Sequence, residues 1–165
     1  MLPALAGATV MAILWVAGEF LPNYGFWSWI GAIPYAFYDS SGEDFPSIAL
    51  GGQAFLVWVL ANAYFALGPM VAFMFSRGKT AHIPSIALLL GVITHGCVSS
   101  VSFCGFIAKW NGTTVTLAKL ADWAWPAFAW IFALSFGGAA VGIALQRIAR
   151  AIERRADRQN APARE

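Results

Sequence analysis

Two side chains stand where ionisable groups are costly, Glu19 and His95, each inside or at the end of a long apolar run. At the depth of a hydrocarbon layer such groups are rare and mark proton or cation paths, cofactor ligands or helix pairings. Glu19 precedes the breaker Pro22-Asn23, so its carboxylate sits within about one turn of a helix end. There it serves as a cation or proton site, or it simply reaches water. His95 lies about half-way along its run, and Ser99 and Ser102 follow at spacings of four and three. That places the three on one helix face, with Thr94 beside them.

A histidine so placed is a haem or pigment ligand, a proton relay, or a neutral hydrogen-bonding bridge to a neighbouring helix. A bis-histidine haem needs a second axial ligand, and the other histidine, His82, falls in a short basic loop, so a haem here would be shared with another subunit. Cys97 is two positions from His95 and points to a different side of the helix, which argues against a joint metal site. Cys97 and Cys104 are seven positions apart, on one face but about 10 Å apart in height, and cannot pair within an intact helix. The sequence contains no Cys-x-x-Cys, no Gly-x-Ser-x-Gly and no phosphate-cradling glycine loop, and the expectation is a protein without catalytic residues or a bound metal. No cofactor is specified by the residues beyond the His95 possibility.

The elements that carry these groups follow from composition. Of 165 residues 59% are hydrophobic and only 11% charged, with a mean hydropathy of +0.67. Those values suit a chain solvated largely by lipid. About 20 apolar residues cross a bilayer, so four crossings nearly exhaust the chain. The runs predict helices over about 2–21, 47–75, 83–108 and 123–158, in one domain of residues 1–159, with 160–165 a disordered tail. The fold expected is all-α, a four-transmembrane-helix bundle. The first run lacks the basic start and small-residue cleavage pattern of a secretory signal and reads as a retained helix.

Between the first two runs lies an aromatic stretch, Tyr24 to Tyr38, suited to the headgroup level, followed by the acidic loop Asp39, Glu43 and Asp44. Gly68-Pro69 removes a hydrogen bond within the second run and favours a kink; Gln53 and Asn62 are its notable polar groups. A polar stretch from Lys109 to Asp122 precedes the fourth run, which opens on Trp123, Trp125 and Trp130 with Pro126 in its first turn. Beyond the membrane that helix continues as an arginine-rich cytoplasmic extension. Leu145, Ile148 and Ile152 recur there at helical spacing, so the extension is expected to lie partly on an anionic surface.

Loop cations set the orientation. The Arg77 and Lys79 loop shares a side with the six arginines Arg147, Arg150, Arg154, Arg155, Arg158 and Arg164, giving 2 + 6 = 8 cations against Lys109 and Lys119 opposite. Both termini are therefore expected in the cytoplasm of a bacterial inner-membrane protein. The charge asymmetry reports topology and not nucleic-acid binding.

Small residues recur at four-residue spacing as Gly138 and Gly142 on the fourth run and as Gly96, Ser100 and Cys104 on the third. Each stripe lets another backbone approach closely, within the chain or between chains. The leading functional expectation is a non-catalytic accessory subunit of a larger bacterial inner-membrane complex, respiratory, photosynthetic, secretory or transport. Its partners would be lipid and other membrane subunits or further copies of itself. The competing reading is a small oligomeric transporter or channel with a polar path through Glu19, Gln53, Asn62, His95, Ser99 and Ser102. A third is a haem- or pigment-binding subunit that uses His95. Transport requires the polar groups to face one cavity; a subunit requires them engaged in helix contacts.

Overall fold

The computed structural model describes residues 1–19, 52–77, 82–110, 112, 114 and 116–160. Among these the chain is all-helical, with four helices and no strand: α1 (Leu2–Glu19), α2 (Gly52–Met74), α3 (His82–Trp110) and α4 (Leu117–Asn160). Pro3 and Pro84 stand in the first turns of α1 and α3, where a missing N–H costs nothing. Gly112, at φ 64°, takes the left-handed turn between α3 and α4.

The fourth helix starts earlier than the sequence predicts. Leu117 to Asp122 reads as part of a polar link, yet it is the opening of α4, and Pro126 is the tenth residue of that helix instead of part of its first turn. Leu, Ala and Lys are strong helix formers, and they outweigh the two charges that suggest a loop. The aromatic stretch Tyr24–Tyr38, the acidic loop and residues 161–165 lie outside the described residues, as does Lys79.

α2 is the hub. It packs most extensively against α4 and α1, while α3 runs along α4 with smaller contacts to α2 and α1. Ala66 and Met70 of α2 meet Gly138 and Gly142 of α4 in that order, so these two helices run parallel. Gly7 and Met11 of α1 approach Gly68, and Gly7 also reaches Ala72, so α1 runs antiparallel to α2. Ser85 of α3 lies by Ala72 while Gly96 lies by Phe65, so α3 is antiparallel as well. The start of α1, the end of α2, the start of α3 and the end of α4 therefore gather at one end of the bundle.

The main core joins Met11, Ala61, Tyr64, Phe65, Val92, Ala127 and Ile131, and a second cluster joins Phe73, Leu89, Ile93 and Ala139. Much apolar surface nevertheless faces outward, including Leu5, Ile13, Ile83, Leu90, Val98, Phe132 and Phe136. α3 and α4 are long and apolar enough to cross a membrane: His82–Ser102 and Ala127–Arg158 contain stretches of mean hydropathy 1.6 and 2.0. Leu2–Ala17 and Val59–Met74 are shorter apolar helices.

Candidate functional site: the polar contacts and the glycine seat

Polar side chains buried among apolar helices need hydrogen-bond partners, because leaving them unpaired away from water is costly. Asn62 of α2 does so across the bundle: Trp130 Nε1 on α4 donates to Asn62 Oδ1 at 2.6 Å. His95 of α3 instead faces Tyr64, with ring centroids 6.2 Å apart and planes tilted by 57°. Asn62 and Tyr64 are two residues apart, about 200° around the helix, so Asn62 and His95 engage opposite sides of α2. Along the His95 face, Ser99 is half-buried, whereas Ser102 and Thr94 are exposed. The side chains of Glu19, Gln53 and Cys104 lie outside the described part of the structure, so of the expected polar path only His95, Ser99, Ser102 and Asn62 are placed. Ser102 borders an open groove of about 280 Å³ with Cys97, Val98, Val101 and Phe128, a largely apolar lining on the flank of α3 and α4.

A second polar group closes one end of the bundle. A helix leaves its last carbonyls without intrahelical partners. α2 tightens first, Ser76 N–H donating to Phe73 O at 3.2 Å. Ser85 Oγ of α3 then donates to Ala72 O at 3.1 Å, and Gln146 Nε2 of α4 donates to Ser76 O. Ser76 Oγ lies 3.2 Å from His82 Nδ1, whose ring stacks on Phe73 at 6.5 Å. On the surface beside them Arg77 pairs with Glu153 at 3.1 Å. Ser76 and Ser85 are fully buried and Gln146 is nearly so. Two helices, α3 and α4, thus cap the C-terminus of α2. Sequence reasoning missed Ser76, Ser85 and Gln146, because polar residues near the end of an apolar run look like ordinary surface.

The small stripes have geometric occupants. A Cβ at Gly138 or Gly142 would run into the carbonyl oxygen of Ala66 or Met70 of the same chain, so neither position has room for a side chain. A Cβ at Gly96 would meet the Phe65 ring at 2.7 Å and Ile131 at 2.9 Å. One at Gly7 would meet Gly68 O at 2.5 Å. Ser100, the next member of the α3 stripe, is buried and returns its hydroxyl to Gly96 O at 2.8 Å on its own helix.

Comparison with protein-family models, curated proteins and solved structures finds no match. The Trp130–Asn62 contact is testable in a double-mutant cycle of Trp130→Phe and Asn62→Leu. The coupling between them is expected near 0.6 kcal/mol and below about 1.7 kcal/mol, the range for hydrogen bonds inside membrane bundles. Detergent denaturation of the four proteins measures it, and a coupling of zero would show that the 2.6 Å contact contributes nothing to the fold.

Proposed function

We propose that the chain is a membrane-embedded, non-catalytic accessory subunit of a larger bacterial inner-membrane assembly, crossing the bilayer four times with both termini in the cytoplasm. The observation that carries the reading is how the described polar side chains are used. Asn62 is engaged with Trp130, and Ser85 and Gln146 cap the end of α2. These contacts bind helix to helix, as a packing role needs, and draw Asn62 away from the His95 face.

The lipid environment has its own support. The most apolar stretches of α3 and α4 are only 33% and 28% buried within the chain, whereas the apolar core helix of a water-soluble protein is mostly covered. Thr9, on the outer side of α1, donates its hydroxyl back to Leu5 O at 2.9 Å, the arrangement that suits a hydroxyl with lipid around it. With α1 to α4 alternating in direction, the eight-to-two cation imbalance supports a cytoplasmic position for the end bearing Arg77 and Arg147.

Reporter fusions test the topology: those after Arg77 and Arg158 are expected to read cytoplasmic, and those near Gly42 and Asn111 external. An external tail would overturn the four-span reading. The subunit role is tested by purification in mild detergent with native mass spectrometry and an absorption spectrum. A partner in fixed stoichiometry with a colourless chain is expected. Selective ion or solute flux through proteoliposomes holding this chain alone would replace the subunit reading by transport.

A further inference from the structure

α4 is one continuous helix that outruns the rest of the bundle. Gln146 and His82 both contact Ser76, so α2 ends and α3 begins at the level of Gln146, and α4 rises about 21 Å further to Asn160. On one side of α4, Ile143 packs on the cluster of Phe73, Leu89 and Ile93. At 100° per residue, Arg147, Arg150, Arg154 and Arg158 carry that side onward as a ridge within about 80°. Past the start of α3 no described helix lies beside it. The apolar positions Val141, Leu145, Ile148 and Ile152 centre about 145° away, so ridge and apolar stripe meet different surroundings.

Among the described residues nothing neutralises this ridge. Its arginines stand three or four residues apart, the spacing at which like charges on a helix repel. None of the four makes an ion pair or hydrogen bond there, and Glu153 is taken by Arg77, which leaves Asp157 as the one further acid between Arg147 and Arg158. Arg147, Arg154 and Arg158 are exposed and Arg150 is half-buried. A second copy of the segment brings five arginines and two acids, a net charge of 5 − 2 = +3, and so adds to the repulsion. Lipid phosphates lie too low: the headgroup layer is about 5–7 Å deep on each side, while Arg154 and Arg158 stand about 12 and 18 Å beyond Gln146. Nucleic acid finds no aromatic side chain between Gln146 and Asn160 on which a base could stack. An acidic segment of another protein can meet the ridge over its whole length.

We propose that Arg147, Arg150, Arg154 and Arg158 form the docking ridge for an acidic helical segment of a partner subunit, on the side of the membrane proposed as cytoplasmic. The ridge rises in steps of about 4.5–6 Å, which carboxylates three and four residues apart on one face of a helix match. Arginine forks take carboxylates in bidentate pairs, so the ridge recognises spacing as well as charge. Arg77, drawn to Glu153 on another side of α4, leaves the ridge open. The inference deepens the subunit reading above and rests on it.

The test uses the full chain in phosphatidylcholine nanodiscs and two fluorescent helical peptides of one composition. In the first, glutamates recur every three or four residues along one face; in the second, they are spread around the helix. Fluorescence anisotropy is expected to show the first binding about tenfold more tightly, the gain that four exposed pairs support, and losing that lead in about 0.5 M salt. Replacing all four ridge arginines by Gln should abolish the preference. Arg154→Gln alone should reduce it about twofold, whereas Arg155→Gln, with the same change of charge about 100° around the helix, should leave it intact. Equal binding of the two peptides, or equal effects at 154 and 155, would overturn the proposal. Displacement of the first peptide by an oligo-dT of equal charge would overturn it in favour of nucleic acid, and displacement by about one-third phosphatidylglycerol in the discs in favour of lipid. If the preference is absent while a partner still co-purifies with the chain, the ridge fails and the subunit reading stands. Failure of the chain to enter any disc would overturn the membrane reading itself.

Discussion

Gly138→Ala and Gly142→Ala are each expected to destabilise the bundle by about 1–3 kcal/mol, the range for forcing atoms into a filled contact. The methyl would enter space held by the carbonyl oxygens of Ala66 and Met70, and backbone yields less readily than a side-chain tip. The neighbouring Gly137 supplies the control, because a Cβ there meets nothing within 4 Å. Gly137→Ala should be neutral or stabilising by up to about 1 kcal/mol, as alanine is the better helix former. Unfolding in a denaturing-detergent titration, followed by tryptophan fluorescence, measures all three. Leucine at Gly138 or Gly142 should block folding while leaving insertion intact. An equal response at 137, 138 and 142 would mean that α2 and α4 do not meet through this stripe.

The second large effect is at Phe65, which is completely buried and fills the space beside Gly96 and Ile131, with Tyr64 edge-on at 5.4 Å. In a water-soluble core Phe→Ala costs about 3–5 kcal/mol, part of it the transfer of the ring out of water. Between lipid-solvated helices the ring leaves no water on folding, so only the packing part is lost. Phe65→Ala is therefore expected to cost about 2 kcal/mol, and the paired change Phe65→Ala with Gly96→Leu should recover some of it by refilling the hole. A loss at the full water-soluble value would count against the lipid environment itself.

The apolar runs made the four helices legible, since their lengths and their separation by polar or breaker residues are local properties. Gly138 and Gly142 also announced a close approach through spacing alone, whereas the surface they meet, the carbonyls of Ala66 and Met70, carries no signature in sequence. Gly7 carries less signal, with Pro3 and Met11 four positions away, and the Gly68 and Ala72 pair takes its meaning only where α1 crosses α2. Asn62 and His95 were recognisable as polar groups in apolar surroundings, but their grouping was not. Sequence gives each its depth, while the rotation of α2 that sends Asn62 to Trp130 and Tyr64 to His95 is set by packing with all three neighbours. The start of α4 is not legible in the sequence, because Lys119 and Asp122 look like loop while helix propensity there outweighs polarity.

The position of α2 at the hub has a consequence for biosynthesis. Ala66 and Gly138 are separated by 138 − 66 = 72 residues, so α2 leaves the ribosome long before the glycines that seat it. Trp130 and Gln146, the donors to Asn62 and to the Ser76 carbonyl, are also on α4. On the proposed membrane reading, until the last helix is delivered, lipid would face the α4 side of α2. Its Asn62 amide and its helix end then lack the α4 contacts in a medium that supplies few substitutes. A chain cut before α4 would therefore leave these α2 acceptors without their Trp130 and Gln146 donors, which only the full-length bundle supplies.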